Sequence, residues 1–482
     1  MNLITLLKNI SITQIIGTTD ITISRITQDS RDTDFSGGLY FAIIGTQLDG
    51  HIFIDEAIGK GAHCIVCSTL PRELKTDVTY VLVKNVTEII GQIASAFYDN
   101  PSQKIKVIAV TGTNGKTSVA TFISQSLSHL DKNNILLSTA GDYYNNKRIN
   151  INRKAPSSLE IIELHKVLGE YVDQGAEYCI LEATSQALDQ KRLSGVHIHR
   201  ALFTNLAEDH LDYHGTMNKY ADAKKLLFDN LESDAVAIVN IDDNYGKYMV
   251  NDTCAVIKTV SHQQGDCVFA VRQMSISGMD LVVNDMLMTI PLVGEFNAYN
   301  ASMTYACLET FGFNFLEIKL AMERIKGIPG RMQSVPNTMN MLILVDYAHS
   351  SDALDNVLRT LKNIPHNNII SVVGCGGDRD TTKRAPMAKI TQTLSDHSIF
   401  TADNPRTENI QNIFNDMKLG LSLKENNYEF IASRETAIQT AIQFAQPADI
   451  ILIAGKGHED YQIIGTEKRH FDDVEMVQKY VK

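Results

Sequence analysis

Gly112-Thr113-Asn114-Gly115-Lys116-Thr117, followed by Ser118, is a run whose residue types and spacing suit the holding of phosphate. Glycines let backbone N–H groups approach phosphate oxygens, a lysine neutralises β- and γ-phosphate charge, and a threonine hydroxyl can ligate Mg²⁺. The bland alternative is a Gly-rich turn with a surface lysine. The spacing is shorter than in the commoner phosphate loop, where the first glycine of G-x-x-x-x-G-K-[ST] would fall at Val110. Four more polar clusters stand out downstream: Asp346 to His349, Gly376 to Asp380, Asp403 to Arg406 and Gly455 to Glu459.

The elements around these residues explain how they would be placed. KIKVIAV (104–110) reads as a buried strand and SVATFISQSLSHL (118–130) has helical periodicity, so the Gly-rich run joins a strand to a helix. There the positive end of the helix dipole adds to the glycine N–H groups. Further strands are expected at 178–183, 201–207 and 235–240. After Gly330-Arg331 the strands 341–347, 369–375, 397–403 and 449–455 alternate with helices, the pattern of a doubly wound parallel sheet. Each of the four polar clusters follows the C-terminal end of one of these strands, so all four are expected along one edge, where open α/β sheets bind ligands.

Bulk properties narrow the class. The 482 residues suggest about three domains, and 44% hydrophobic with 21% charged residues is a globular composition. The net charge of −12 and the lack of a Lys/Arg stripe argue against a nucleic-acid binder. The opening MNLITLLKNISITQIIG is broken by Lys8 and lacks a basic leader, and no run of ~18 apolar residues follows, so no membrane span and a cytoplasmic location are expected. Seven scattered cysteines fit a reducing compartment, and the lone pair Cys64 and Cys67 reads as ordinary buried thiols.

VTGTNGKTS (110–118) resembles the ATP loop of the Mur ligases, which add amino acids to the peptidoglycan precursor, and that of the related folylpolyglutamate synthetases. The resemblance continues through LEATS (181–185), NLAEDHLDYHG (205–215), GEFNAYNA (294–301), PGRM (329–332), DYAH (346–349), GCGGDRD (374–380), DNPR (403–406) and GKGHEDYQ (455–462). It implies three α/β domains: a UDP-substrate domain over 1–101, a central P-loop ATPase with a parallel-rich sheet over 102–332, and a C-terminal Rossmann-like, doubly wound domain over 333–482. It also implies a site where the domains meet, and closure that brings an amine to an acyl phosphate. The chemistry implied is ATP-dependent amide formation, with the γ-phosphate activating a carboxylate as an acyl phosphate that an amine then attacks.

By resemblance, ATP would be held by Gly112 to Ser118, Asn297, Arg331 and Asp346. Two Mg²⁺ ions would be held by Thr117, Glu182, His210 and Lys224, the last as a carbamate. Taken alone, His210 is a polar loop residue, Lys224 a solvated helix lysine, Asn297 a helix cap and Asp346 a turn former. Asp209, Asp212 and His214 would shape the loop around His210. Ser30, Thr46, Gln47 and Leu48 match uridine-binding segments, which otherwise read as turns, while Lys154, Ala155, Thr184, Gln190 and Arg192 match positions that hold the muramoyl peptide. The chain departs from the family at Arg153-Lys154-Ala155, where two threonines are usual, at Gln186 where His is common, and at Ser351 in place of Pro.

The DNPR run bears on which amino acid is added. Members adding meso-diaminopimelate carry it, whereas lysine-adding members generally lack its arginine. Diaminopimelate has a second carboxylate, which a guanidinium can grip with two parallel hydrogen bonds. Arg379, Asp403, Asn404, Pro405, Arg406, Gly455 and Glu459 form the expected amino-acid set; a plain exposed-loop role for Arg406 is the alternative. The resemblance thus implies a monomeric enzyme acting on small molecules, joining meso-diaminopimelate to the D-Glu carboxylate of a UDP-N-acetylmuramoyl dipeptide. A lysine-adding ligase, a P-loop hydrolase and a non-catalytic precursor sensor are the rival readings.

Overall fold

The computed structural model describes residues 1–481 apart from 33–34, 46–47, 152, 154–157 and 423, and apart from the side chain of Asp212. Thr46, Gln47, Lys154 and Ala155 of the expected set therefore lie outside the described residues. The chain forms two compact units, Met1–Val260 with Ala306–Phe311, and Ser261–Tyr305 with Gly312–Lys482. Both are α/β, and no helix among the described residues is long and apolar enough to cross a membrane.

The first unit opens with five short strands, β1 (Gln14–Ile16), β2 (Arg25–Thr27), β3 (Gly38–Phe41), β4 (Ala62–Cys67) and β5 (Thr79–Leu82). They pair in the order β1-β5-β4-β3-β2, all parallel except β1. Cys64 and Cys67 are buried on β4, and burial pushes both thiols up, Cys67 to about 11, which leaves them as inert packing groups.

The unit's larger sheet contains β6 (Lys106–Thr111), β7 (Asn134–Ser138), β8 (Gly141–Tyr144), β9 (Lys147–Ile149), β10 (Tyr178–Glu182), β11 (Arg200–Phe203), β12 (Val236–Asn240) and β13 (Val256–Ser261). Their order is β13-β12-β11-β6-β10-β7-β8-β9. The strands β12, β11, β6, β10 and β7 run parallel, and β7, β8 and β9 form an antiparallel meander at the edge. Val107, Ile108, Ala109 and Val110 are fully buried, as both faces of β6 are covered. Because β10 lies on one side of β6 and β11 on the other, the chain crosses over β6, and a crevice opens beyond its C-terminal end.

Strand β11 ends at Phe203, short of the expected 207. Beyond it the Thr204 backbone N still donates to Thr111 O at 3.1 Å, while the side chains turn to the loop after β6: Thr204 Oγ1 donates to Asn114 O at 2.6 Å and Asn205 Nδ2 donates to it at 3.1 Å. The helix expected from Ser118 starts two residues earlier, spanning Lys116–His129.

The second unit begins with an antiparallel meander, β14 (Cys267–Ser275), β15 (Gly278–Val283) and β16 (Met286–Ile290). Its main sheet contains β17 (Gln333–Ser334), β18 (Leu342–Asp346), β19 (Ile369–Cys375), β20 (His397–Ala402), β21 (Tyr428–Phe430) and β22 (Ile450–Ala454), ordered β17-β18-β22-β19-β20-β21. All but β17 run parallel. Helices pack on both faces, one layer through Leu354, Leu358, Met387 and Ile413, the other through Ile438, Ala441 and Val477. A hairpin of β23 (Tyr461–Ile464) and β24 (Glu467–His470) follows.

Candidate functional site

In the first unit the loop after β6 has the geometry of an anion cradle. Gly112 and Gly115 take φ of 144° and 84°, which favour glycine. A Cβ on Gly112 would lie 1.9 Å from Thr204 Oγ1, so the residue has no room for a side chain. Asn205 Oδ1 accepts from Asn114 N at 3.0 Å, and Thr113 Oγ1 lies 3.2 Å from the Tyr220 hydroxyl. Lys116 curls over the loop and donates to Gly112 O at 3.0 Å and Thr113 O at 2.7 Å. Thr117 and Ser118 occupy the first helical turn, whose N–H groups face the same crevice end.

Lys224 reaches the same loop from the helix Met217–Asp229. Its Nζ donates to Gly112 O at 2.8 Å and lies 4.5 Å from the centre of the Tyr220 ring, and the residue is 1% exposed. Burial first, and then the Lys116 charge, push its pKa down to about 6, so at neutral pH the amine is mostly unprotonated. Lys225, its neighbour, instead bonds Asp229 and Asp252 and keeps its charge.

Glu182 ends β10 beside the loop and is 3% exposed. It accepts from Thr139 N at 2.9 Å and Thr139 Oγ1 at 3.2 Å, and Thr139 Oγ1 in turn lies 3.2 Å from Thr117 Oγ1. Thr117 and Glu182 thus share a partner and present hard oxygen donors, the kind that suits a small divalent cation. His210 lies with its ring centre 6.2 Å from that of Tyr220, whose hydroxyl meets Thr113 of the loop. It is exposed, takes φ 52° at the start of the short helix Leu211–His214, and lies 3.6 Å from Asp209 Oδ2. His214 is buried against Ser185 Oγ at 2.9 Å and shapes this loop.

Three of the expected sugar-nucleotide residues, Thr184, Gln190 and Arg192, form a connected group after Glu182. Thr184 caps the helix Ser185–Asp189 and lies 3.4 Å from Ser158 Oγ. Arg192 donates to Gln190 Oε1 at 2.7 Å and to Ser158 O at 3.1 Å, and pairs with Glu160 at 3.2 Å. Gln190 also donates to the Tyr213 hydroxyl at 3.2 Å. Ser30 is buried, with its carbonyl accepting from Lys60, whereas Leu48 is exposed.

In the second unit, Asp346 ends β18 and is buried. Its carboxylate accepts from Met332 N and Ala348 N, both at 2.7 Å, while burial raises its pKa. Arg331, exposed, lies with its guanidinium 5.2 Å from the Tyr347 ring centre. Asn297 is buried in the first turn of the helix Glu295–Thr310 and donates back to Val293 O at 2.8 Å.

The loops after β19, β20 and β22 come together as expected. Arg406 takes φ 50° and donates to Gly377 O at 2.7 Å, and its backbone N bonds Ile463 O. Asn404 donates to Glu459 Oε2 at 3.0 Å and accepts from Ile463 N at 2.9 Å. Asp403 Oδ2 lies 3.8 Å from where a Cβ on Gly455 would stand. Pro405 is buried, and its carbonyl leaves Gly377 no room for a side chain, with a Cβ there 2.0 Å away. Arg379 is exposed at the rim.

Residue types alone did not single out Thr139, Thr204 or Tyr220, which hold Glu182 and the loop, nor Arg384. Arg384 is fully buried and bonds both Glu408 oxygens at 2.7 Å and Gly376 O at 3.0 Å, tying the loops after β19 and β20 together. The only signal in the sequence is position: Asn205 opens a polar run directly after a strand, and Arg384 follows a Gly- and Asp-rich loop.

This combination of phosphate loop and strand-end amino-acid edge belongs to one known class. Residues 22–98 match the Mur ligase family catalytic domain, 110–308 the Mur ligase middle domain, and 330–457 the Mur ligase glutamate ligase domain. The chain belongs to the Mur ligase family. It is 39% identical to the UDP-N-acetylmuramoyl-L-alanyl-D-glutamate--2,6-diaminopimelate ligase of Phocaeicola vulgatus, with 99% of each chain covered. It is 38% identical to the enzyme of the same name from Clostridium tetani, over 100% of this chain and 99% of that one. A solved structure of an enzyme so named superposes with a TM-score of 0.75 at 32% identity, covering 95% of this chain and 94% of the other. Folylpolyglutamate synthase of Mycobacterium tuberculosis shares the fold, with a TM-score of 0.55 at 17% identity over 75% of this chain and 91% of that one.

Proposed function

We propose that the protein is an ATP-dependent ligase that joins meso-2,6-diaminopimelate to the D-Glu carboxylate of UDP-N-acetylmuramoyl-L-alanyl-D-glutamate in peptidoglycan precursor synthesis. A carboxylate oxygen attacks the γ-phosphorus of ATP and ADP leaves. The amine nitrogen then attacks the acyl carbon, phosphate departs with its oxygen, and the nitrogen loses a proton to give the amide. Lys116 neutralises charge on the transferring phosphoryl group while the N–H groups of the Gly112–Thr117 loop bind its oxygens. Thr117, Glu182 and His210, with Lys224 as a carbamate, would hold Mg²⁺, whose charge would offset that of the phosphates. The unprotonated Lys224 amine suits carbamate formation, since only a free electron pair adds to CO₂.

Asn297, Arg331 and Asp346 complete the nucleotide set. Ser30, Thr46, Gln47, Leu48, Lys154, Ala155, Thr184, Gln190 and Arg192 bind the sugar nucleotide. Arg379, Asp403, Asn404, Pro405, Arg406, Gly455 and Glu459 receive the amino acid. The three-part division at 1–101, 102–332 and 333–482 assigns one substrate to each part, and the enzyme works as a cytoplasmic monomer. The single observation that carries the reading is the strand-end loop set in which Arg406, Asp403, Asn404 and Glu459 converge, a combination of cation and carboxylates that fits an amino acid with a spare carboxylate. The test is isotopic: with ¹⁸O in the D-Glu side-chain carboxylate, one ¹⁸O appears in the released phosphate. Unlabelled phosphate rejects the acyl phosphate route.

A further inference from the structure

Asp403, just beyond the end of β20, has surroundings unlike those of a surface carboxylate. On one side Lys456, 0% exposed, places Nζ 3.7 Å from Asp403 Oδ1 and 3.2 Å from Glu459 Oε2, and donates to Tyr461 O. On the other side lies Arg434, whose side chain is likewise 0% exposed. Its Nε and Nη2 each bond a carboxylate oxygen of Asp473 at 2.7 Å, and Nη2 also donates to Ala454 O at 3.1 Å. Its Nη1 is buried without a hydrogen-bond partner among the described residues, and so is Asp403 Oδ1. The two groups converge on Gly374, where a Cβ would stand 3.0 Å from Arg434 Nη1 and 3.0 Å from Asp403 Cβ.

Burying an ionic group without full pairing is costly, so a buried cation next to a site carboxylate needs a reason. Electrostatics supply one. Burial pushes the Asp403 carboxyl up, and Arg434 and then Lys456 pull it back down. Arg434 is taken up by Asp473, and Lys456 is shared between Asp403 and Glu459, so the Asp403 carboxylate has no cation to itself and can receive an ammonium group. Both cations are enclosed, so they act on the substrate through the carboxylates they face, Arg434 through Asp403 and Lys456 through Asp403 and Glu459.

We infer that Arg434 and Lys456 are positioning residues for the amino-acid substrate, fixing the Asp403 carboxylate at the strand-end edge so that it receives an ammonium group. The inference rests on the ligase reading above. Two double-mutant cycles on the full-length enzyme test it, each with Asp403→Asn: one with Lys456→Met, the other with Arg434→Met/Asp473→Asn, which removes the buried pair together.

Each cation change alone should raise KM for diaminopimelate roughly tenfold or more, with KM for ATP within about twofold and kcat little changed. Lys456→Arg should restore most of the loss. In the Asp403→Asn background the Arg434→Met/Asp473→Asn change should shift KM by less than about twofold, because the group it acts through is already gone, and Lys456→Met should lose a large part of its effect, keeping only what passes through Glu459. Additive effects, or equal rises in KM for ATP and diaminopimelate, overturn the inference while leaving the ligase reading intact. A wild-type enzyme that does not accept diaminopimelate overturns both. If one set of variants fails to fold, the other cycle decides; failure of both assigns the cations a purely structural role.

Discussion

Two strand-end edges, one in each unit, carry the chemistry and are charged in opposite senses. Beyond β6 two lysines reach the loop: Lys116 and Lys224 both donate to Gly112 O, Lys224 as a mostly unprotonated amine. Beyond β20 and β22 the order is reversed, with Asp403 and Glu459 at the edge and the cations Lys456 and Arg434 enclosed behind them. Parallel sheets offer the same platform in both cases. Its ligand preference comes from which sign of charge is left at the mouth and which is buried for support. On the proposed reading the first edge takes phosphate and the second an ammonium, with Arg406 and Arg379 as the carboxylate's partners.

Removing Lys116 from the first edge should have the largest effect. Lys116→Ala should lower kcat by roughly a hundred- to a thousandfold with the fold intact, as for loss of other preorganised transition-state donors. Phosphate release by a folded variant is the measurement, and near-normal turnover would remove Lys116 from the chemistry.

Lys224→Ala should cost almost as much, but for a different reason, and should be partly rescued by short carboxylic acids that replace the carbamate. The pH dependence has a definite sign. With the pKa pushed down to about 6, the reactive amine is lost as pH falls through that value, so activity at fixed total bicarbonate should drop below about pH 6. Identical rescue of the Lys116→Ala and Lys224→Ala variants would break the distinction between the two lysines.

At the second edge the expected effect is smaller and confined to one substrate. Arg406→Ala should raise KM for diaminopimelate roughly ten- to a hundredfold, since a charge-assisted hydrogen bond contributes about 1.5–3 kcal/mol. KM for ATP should hold, and weak use of lysine should change little. Equal losses for both amino acids would make Arg406 a loop support only. Smallest of all, Lys225→Ala should leave activity near wild type, because its pairs with Asp229 and Asp252 lie partly in solvent and contribute little. A loss matching that of Lys224→Ala would undo the Lys224 assignment.

Much of this was legible in the sequence because it is local. The strand–Gly-rich loop–helix unit around 112–117 and the four alternating strands after residue 341 announce themselves by periodicity and turn residues, and the structure places them within one or two residues. Glu182 and Asp346 were legible as acidic residues ending strands. What was not legible depends on contacts across long separations. Strand β11 was expected to run to residue 207 because its hydrophobic run continues. It stops at Phe203, and the Thr204 side chain bonds a loop 90 positions earlier. Lys224 reads as a solvated helix lysine until the fold puts its Nζ against a carbonyl 112 positions away. Arg434 carries no motif signal, and its partner Asp473 is 39 residues further on.

The most direct measurement of the central claim is phosphate release from ATP by the purified enzyme with the UDP-N-acetylmuramoyl dipeptide and an amino acid added singly and together. The account predicts release only when both are present, one phosphate per amide formed, and with meso-diaminopimelate far more efficient than lysine in kcat/KM. Release that ignores the amino acid, or a preference for lysine, would contradict it.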